Sequence, residues 1–257
     1  MHKILAVINQ KGGVGKTTTA LNLSAYLAKA GCTVLVVDFD PQGNATSGLG
    51  LNKQTLETSA YEILFDRGLG STAVCETNLE NLYVLPSSAN LAAAEIDLAN
   101  EPKREYKLQE ALRGLEFDYI IIDCPPSLGL LTINALVAAD SLLIPVQAEY
   151  YALEGLGQLL DVVQRVRGGL NPQLELLGVV VTMFDQRTGL SEQVLGEIKK
   201  HFAEKVFNTV IPRNVRLAEA PSYGRTILEH DKWSKGARAY KQLAKELLKR
   251  TKSQGGR

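Results

Sequence analysis

Uninterrupted apolar runs recur along the chain, and stretches whose apolar positions repeat at helical spacing lie between them. The first run, Ile4-Leu5-Ala6-Val7-Ile8, is followed by Ala20, Leu21, Leu23 and Leu27 on one helical face. Gly31 closes that helix, and Thr33-Val34-Leu35-Val36-Val37-Asp38 reads as a buried strand. The same alternation predicts strands over 119–123, 142–146, 177–183 and 206–211, and helices over 130–138, 154–167, 191–202 and 235–249. Residues 45–115 carry the weakest pattern, with short helices at 59–65, 91–98 and 108–112 and one strand at 82–85. The passage 212–228 shows no period and is expected to be irregular. Strands that are apolar throughout need cover on both sides of the sheet. The expectation is an α/β fold, doubly wound, with a mostly parallel sheet and helices on both faces.

Composition changes this picture little. The 257 residues are expected to form a single domain, 1–257, with a folded core over 1–250 and a polar, flexible tail at 251–257. Apolar residues at 45% supply ample core material. No apolar run approaches the length of a membrane span. The first one leads directly into a glycine-rich loop and therefore reads as a strand, not a leader. Cys32, Cys75 and Cys124 are far apart with no CxxC, which points to a cytoplasmic chain with reduced thiols. His2, His201 and His230 lack metal-ligand spacing. Basic and acidic residues balance at 28 each, so the total charge is silent about nucleic acid. From Lys232 onward, however, nine basic residues face Glu246 alone. A run of this kind is ordinarily a solvated helix face and only sometimes an anion-binding surface.

Candidate chemistry gathers at the ends of the predicted strands. Lys11-Gly12-Gly13-Val14-Gly15-Lys16-Thr17-Thr18 lies between the first strand and the first helix, the arrangement of a phosphate cradle. Glycines let backbone N–H groups turn inward, the helix N-terminus adds partial positive charge, and Lys16 neutralises phosphate oxygens. The common P-loop spacing has a glycine where Gln10 stands, and Lys11 is an additional charge. Asp38, Asp40 and Asp123 end or follow two further strands, where ligands bind in doubly wound sheets. Thr17 and Asp123 could hold Mg²⁺, the latter through water, because this ion keeps several waters and takes few protein oxygens. Asp40 could orient or deprotonate a water attacking a γ-phosphate. Spacing alone fits an Asx turn at Asp40-Pro41 equally well.

These motifs resemble the ParA/MinD class of P-loop ATPases with a deviant Walker A motif. Val37-Asp38-Phe39-Asp40-Pro41-Gln42-Gly43-Asn44 is similar to the second acidic motif of that class, and Ile122-Asp123-Cys124-Pro125-Pro126-Ser127 to its Walker B. The runs 130–136, 145–155 and 211–222 resemble the chromosomal ParA group, also called Soj, and the similarity spans residues 3 to about 248. The resemblance implies an Mg²⁺-dependent ATPase whose Lys11 crosses a homodimer to phosphate in the other subunit. It makes Lys16 the phosphate lysine of its own subunit, Thr17 the Mg²⁺ ligand and Asp40 the hydrolytic switch. Met183, Pro212 and Asn214 would frame the adenine, and Arg187 and Arg216 would contact DNA. It further implies ATP-dependent, sequence-independent binding of double-stranded DNA, a ParB-type partner, and a cytoplasmic, nucleoid-associated protein.

Three relatives of the class are weighed against this reading. A MinD-like membrane ATPase would end in a short amphipathic membrane helix. Here Tyr240, Leu243, Leu247 and Leu248 suit a helix packed on the core and the following residues are polar, so no membrane is expected. A nitrogenase-type iron protein would need cysteines facing across the dimer, and a tyrosine kinase of the class a tail rich in tyrosine. The chain starts almost at its first strand, which argues against plasmid members with a DNA-reading domain. Chromosome, plasmid and other cytoplasmic cargo remain open.

Overall fold

Alternate residues of each central strand serve opposite faces of one sheet. The computed structural model describes residues 3–149 and 152–254. In chain order the elements are β1 (Lys3–Val7), α1 (Lys16–Lys29), β2 (Val34–Asp38), α2 (Asn44–Gly48), β3 (Cys75–Glu76), β4 (Leu82–Leu85), α3 (Ala94–Asp97) and α4 (Lys107–Leu112). Then come β5 (Tyr119–Asp123), α5 (Leu130–Ala138), β6 (Ser141–Gln147), α6 (Ala152–Gly169), β7 (Glu175–Thr182) and α7 (Gly189–Phe202). Last are α8 (Val215–Glu219), α9 (Ile227–His230) and α10 (Lys235–Gln254). The seven strands form one sheet in the order β3-β4-β2-β5-β1-β6-β7. All pairs are parallel except β3 with β4.

Ile4 and Ala6 of β1 join Ile120 and Ile122 of β5 in a core covered by α4, α5, α6 and α7. Leu5 and Val7 point the other way, to a core shared with α1 and α10. In α10, Tyr240, Leu243 and Leu247 are at most 1% exposed, so its apolar side is spent on the sheet. Burying a leucine this fully is worth about 2 kcal/mol. No helix among the described residues is long and apolar enough to cross a membrane.

The doubly wound, mostly parallel sheet is the predicted one, but several local expectations need correction. Segment 206–211 forms no strand. Phe207 N and Ile211 N donate to Val179 O and Val181 O of β7, both at 2.8 Å, so four residues advance against two. The surplus loops out because Asn208 N and Thr209 N donate instead to the Glu246 carboxylate of α10, at 2.8 and 3.0 Å. The passage 212–228 is not wholly irregular: α8 starts with the Asn214 side chain capping Leu217 N, and α9 carries a Thr226–Glu229 capping box. The helices expected at 59–65 and 91–98 are mostly single 3₁₀ turns. Finally, α10 runs through residue 254 where a polar tail was expected, and Thr251 is buried with its hydroxyl 2.8 Å from that of Tyr119. Residues 255–257 of that expected tail lie outside the described residues.

Candidate active site

The carboxyl ends of β1, β2, β4 and β5 meet at one edge of the sheet. Between β1 and α1 the loop turns through Gly13 and Gly15, at φ +74° and +88°, a region that side-chain-bearing residues avoid. No side chain caps α1, so its first N–H groups stay free for an anion. Thr182 at the end of β7 donates its hydroxyl to Val14 O at 2.8 Å and braces the loop from the far side. Thr17 and Thr18 follow in the first turn of α1. Gln10, where a glycine is usual, keeps a buried Oε1 that has no hydrogen-bond partner among the described residues.

The two lysines of the loop point to different surroundings. Lys16 is 7% exposed, and among the described residues its ammonium makes one long hydrogen bond, 3.3 Å, to Lys11 O. Burial pulls its pKa below the usual lysine range, against the opposing pull of Asp123, Cys124 and Asp40. The Lys11 side chain is 42% exposed and its ammonium pairs with Glu149 Oε2 at 2.7 Å.

The acids differ as sharply. Asp123 is fully buried, and among the described residues neither of its oxygens has a hydrogen-bond partner. The Thr17 hydroxyl lies close enough to favour its charge without closing a bond. Burial, and then Asp38 beside it, push the Asp123 carboxyl well above the usual range. Asp38 pairs in register with Asp123, and its Oδ2 accepts from both N and Oγ1 of Thr46 at 2.6 Å. Asp40, 8% exposed, does form the Asx turn: Gln42 N donates to its Oδ1 at 3.0 Å. That turn uses one oxygen only, so it coexists with a catalytic use of the other.

The cluster is electrostatically incomplete by itself. Among the described residues the buried Lys16 ammonium and the buried Asp123 carboxylate feel each other's charge but close no direct ion pair, and leaving either so weakly compensated is costly. A phosphate chain with Mg²⁺ supplies an anion to the first and a cation to the second, with Asp123 and the Thr17 hydroxyl as the groups that could hold the metal. Beside the loop lies a cavity of about 300 Å³ lined by Gly15, Thr18, Met183, Pro212, Asn214 and Tyr240 among others. The three residues expected around the adenine thus share one cavity with the phosphate loop. Met183 sits there at φ +50°.

Beyond Pro212 opens a second cavity of about 690 Å³, lined by Arg187, Arg213, Lys235 and Arg238, with Asp185 as its acid. The structure places Arg187 there but not Arg216. Both are held by acids of their own chain: Arg187 by Asp185 at 2.7 Å and Arg216 by Glu219 at 2.8 Å. Exposed pairs of this kind contribute little to stability and are screened by salt.

A protein-family profile described as an AAA domain matches residues 2–176. The sporulation initiation inhibitor protein Soj of Bacillus subtilis is 57% identical over 249 residues, 96% of this chain and 98% of its own. The chain belongs to the Soj/ParA family of chromosome-partitioning ATPases. Chromosome partitioning protein ParA of Myxococcus xanthus is 51% identical, across 96% of this chain and 88% of its own. Among solved structures, a Mycobacterium smegmatis protein described as cobyrinic acid a,c-diamide synthase with bound ADP and magnesium superposes with TM-score 0.87. It is 41% identical over 98% of this chain and 96% of its own.

For a Soj/ParA chain, the residues that motif reading missed are ones that brace the site, Thr46, Ser87 and Glu149; the resemblance placed Thr182 beside Met183 at the adenine, and here it also braces the phosphate loop. Lys235 and Arg238 were visible only as members of a basic run, and Arg213 only as one residue of an irregular passage. Ser87 had one available signal, its position just beyond the predicted strand 82–85.

Burial sets a pH dependence. Asp38 is pushed up to about 6, chiefly by desolvation and against its bonds to Thr46. A carboxyl raised by folding contributes stability that is fully present below its unfolded value near 4. That stability is lost as pH rises through about 6. Asp38→Asn should therefore gain on the parent between pH 4 and 7, by on the order of 2–3 kcal/mol in urea denaturation without nucleotide. A stability difference that stays constant across that range would exclude Asp38 as the titrating group.

Proposed function

We propose that this Soj/ParA ATPase is a dimerisation switch in which bound ATP, with Mg²⁺, joins two copies into a form that binds DNA. The observation that carries the reading is the division between two lysines of one loop. Lys16 is buried among the acids of its own site, while Lys11 is half exposed and, among the described residues, paired with Glu149. An ammonium aimed outward from a phosphate loop suits a role in the facing subunit, and releasing it from an exposed pair costs no more than about 1 kcal/mol. Lys16 and the N–H groups of Gly12, Gly13, Val14, Gly15, Thr17 and Thr18 would hold the phosphates of their own subunit. Thr17 and Asp123 would hold the metal, and Asp40 would place the attacking water.

The cavity of Arg187, Arg213, Lys235 and Arg238 supports a phosphate-backbone contact without sequence preference. Two such surfaces in a dimer double the phosphate contacts, which explains why a chain of zero net charge would need ATP to bind DNA. A ParB-type partner would stimulate hydrolysis and return the protein from the nucleoid to the cytoplasm. The cargo would be a chromosome or plasmid.

Co-sedimentation with double-stranded DNA, in ATP, ADP and no nucleotide, tests this. Binding is expected with ATP alone and should fall by orders of magnitude between about 50 and 200 mM salt. A peptide from a candidate ParB should release it. Tight, salt-insensitive binding by the nucleotide-free protein would overturn the reading.

A further inference from the structure

Asp40 stands outside its strand, in a short turn, and a catalytic carboxylate in such a place needs an external anchor. Its main-chain carbonyl accepts from Gly43 N at 2.9 Å, which only closes the turn on itself. The same carbonyl accepts from Ser87 Oγ at 2.7 Å, and Ser87 follows β4, the strand next to β2. Ser87 N in turn donates to Thr46 Oγ1 at 2.9 Å, and Thr46 donates through both N and Oγ1 to Asp38 at 2.6 Å. A closed chain of hydrogen bonds therefore runs from the end of β2 through α2 to the end of β4 and back to Asp40. Asp38, Thr46 and Ser87 are all 0% exposed. Ser87 is the member that ties the Asp40 turn to a strand other than its own.

We infer that Ser87 is a positioning residue for ATP hydrolysis, fixing the aim of the Asp40 carboxylate through the backbone. The inference rests on the reading of Asp40 as the residue that places the attacking water. Its physical basis is a difference in scale. Losing one neutral hydrogen bond costs about 1 kcal/mol of stability, and the turn keeps its Gly43 bond. Misplacing a reacting group by about 1 Å can cost on the order of a hundredfold in rate. Among the described residues the hydrogen bonds of the Ser87 hydroxyl and N–H go to Asp40 O and Thr46 Oγ1, not to the residues that would hold phosphate or metal, so its removal should separate rate from binding.

The test uses the full chain with Mg²⁺-ATP, comparing the parent, Ser87→Ala, Ser87→Cys, Asp40→Ala and the Ser87→Ala/Asp40→Ala double variant. Single-turnover hydrolysis and ATP affinity are both read. Ser87→Ala should hydrolyse about 10–100-fold more slowly with affinity within about threefold of the parent. Ser87→Cys, near-isosteric with a weak donor, should fall between the two, and it carries the test if the alanine variant fails to fold. In the Asp40→Ala background the Ser87 substitution should slow the reaction no further, as expected for coupled residues. Parental rates in the Ser87 variants beside a slow Asp40→Ala would overturn this inference alone, as would an undiminished Ser87 effect in the double variant. Parental turnover by Asp40→Ala would overturn the reading of Asp40 and this inference with it.

Discussion

Lys16→Ala is expected to weaken ATP binding by at least about a hundredfold, with the fold intact. Its ammonium is buried with one long contact to a carbonyl, and burial already lowers its pKa. The nucleotide-free protein thus gains little from the charge, and alanine is a good helix former at the start of α1. Phosphate oxygens change the balance, because a buried anion without its cation costs about 3–5 kcal/mol, or roughly two to three and a half orders of magnitude in affinity. Asp123 reinforces the loss. Lys16 is one of the groups that favours its charged form, so without it the carboxyl holds its proton more firmly and offers less to Mg²⁺. Calorimetric titration with Mg²⁺-ATP, alongside far-ultraviolet circular dichroism, reads both parts. Affinity within about threefold of the parent would show that Lys16 is not the phosphate lysine.

How much of this site was legible before the structure depended on whether its parts are neighbours in sequence. The phosphate loop is written in consecutive residues, so strand, glycines, lysine and helix could be read together. Met183, Pro212 and Asn214 carry no local signature, and only family resemblance suggested that they meet. Ser87 and Glu149 act through which strand ends lie side by side, β4 beside β2 and β6 beside β1. Apolar periodicity says that a strand exists, not which strand it joins. Residues 45–115 resisted reading for a related reason: single 3₁₀ turns are too short to show a period. Segment 206–211 shows the opposite failure. Its residues suit a strand, but the Glu246 carboxylate, thirty-seven positions from Thr209, takes two of the N–H groups a ladder needs.

Lys11 also has a partner within its own chain that motifs could not reveal. Lys11 is latched by Glu149, which also accepts from Gln147 at the end of β6. If Lys11 serves the facing subunit, dimerisation must exchange this pair for phosphate. Both side chains are more than 40% exposed, so the exchange is cheap. The dimer equilibrium would then be set by the nucleotide, not by the latch.

Asp40→Ala is expected to leave ATP affinity within about threefold while slowing hydrolysis on the order of a hundredfold or more. The carboxylate contributes one hydrogen bond to its surroundings, from Gln42 N, so its loss should cost only about 1 kcal/mol of stability. The turn keeps its bonds from Gly43 and Ser87, and Lys16 and Asp123 lose only the smallest of the electrostatic influences on them. What remains for Asp40 to affect is the water. Asp40→Asn separates the two uses of the side chain, because its amide oxygen preserves the Asx turn while the negative charge is gone. If charge at this position drives the reaction, Asn should be nearly as slow as Ala; if the turn alone matters, Asn should turn over like the parent. With hydrolysis blocked, ATP-bound dimers should persist on DNA and a ParB-type partner should no longer release them, a result that native gel analysis and DNA co-sedimentation would read together. Parental turnover by both variants would remove Asp40 from the reaction.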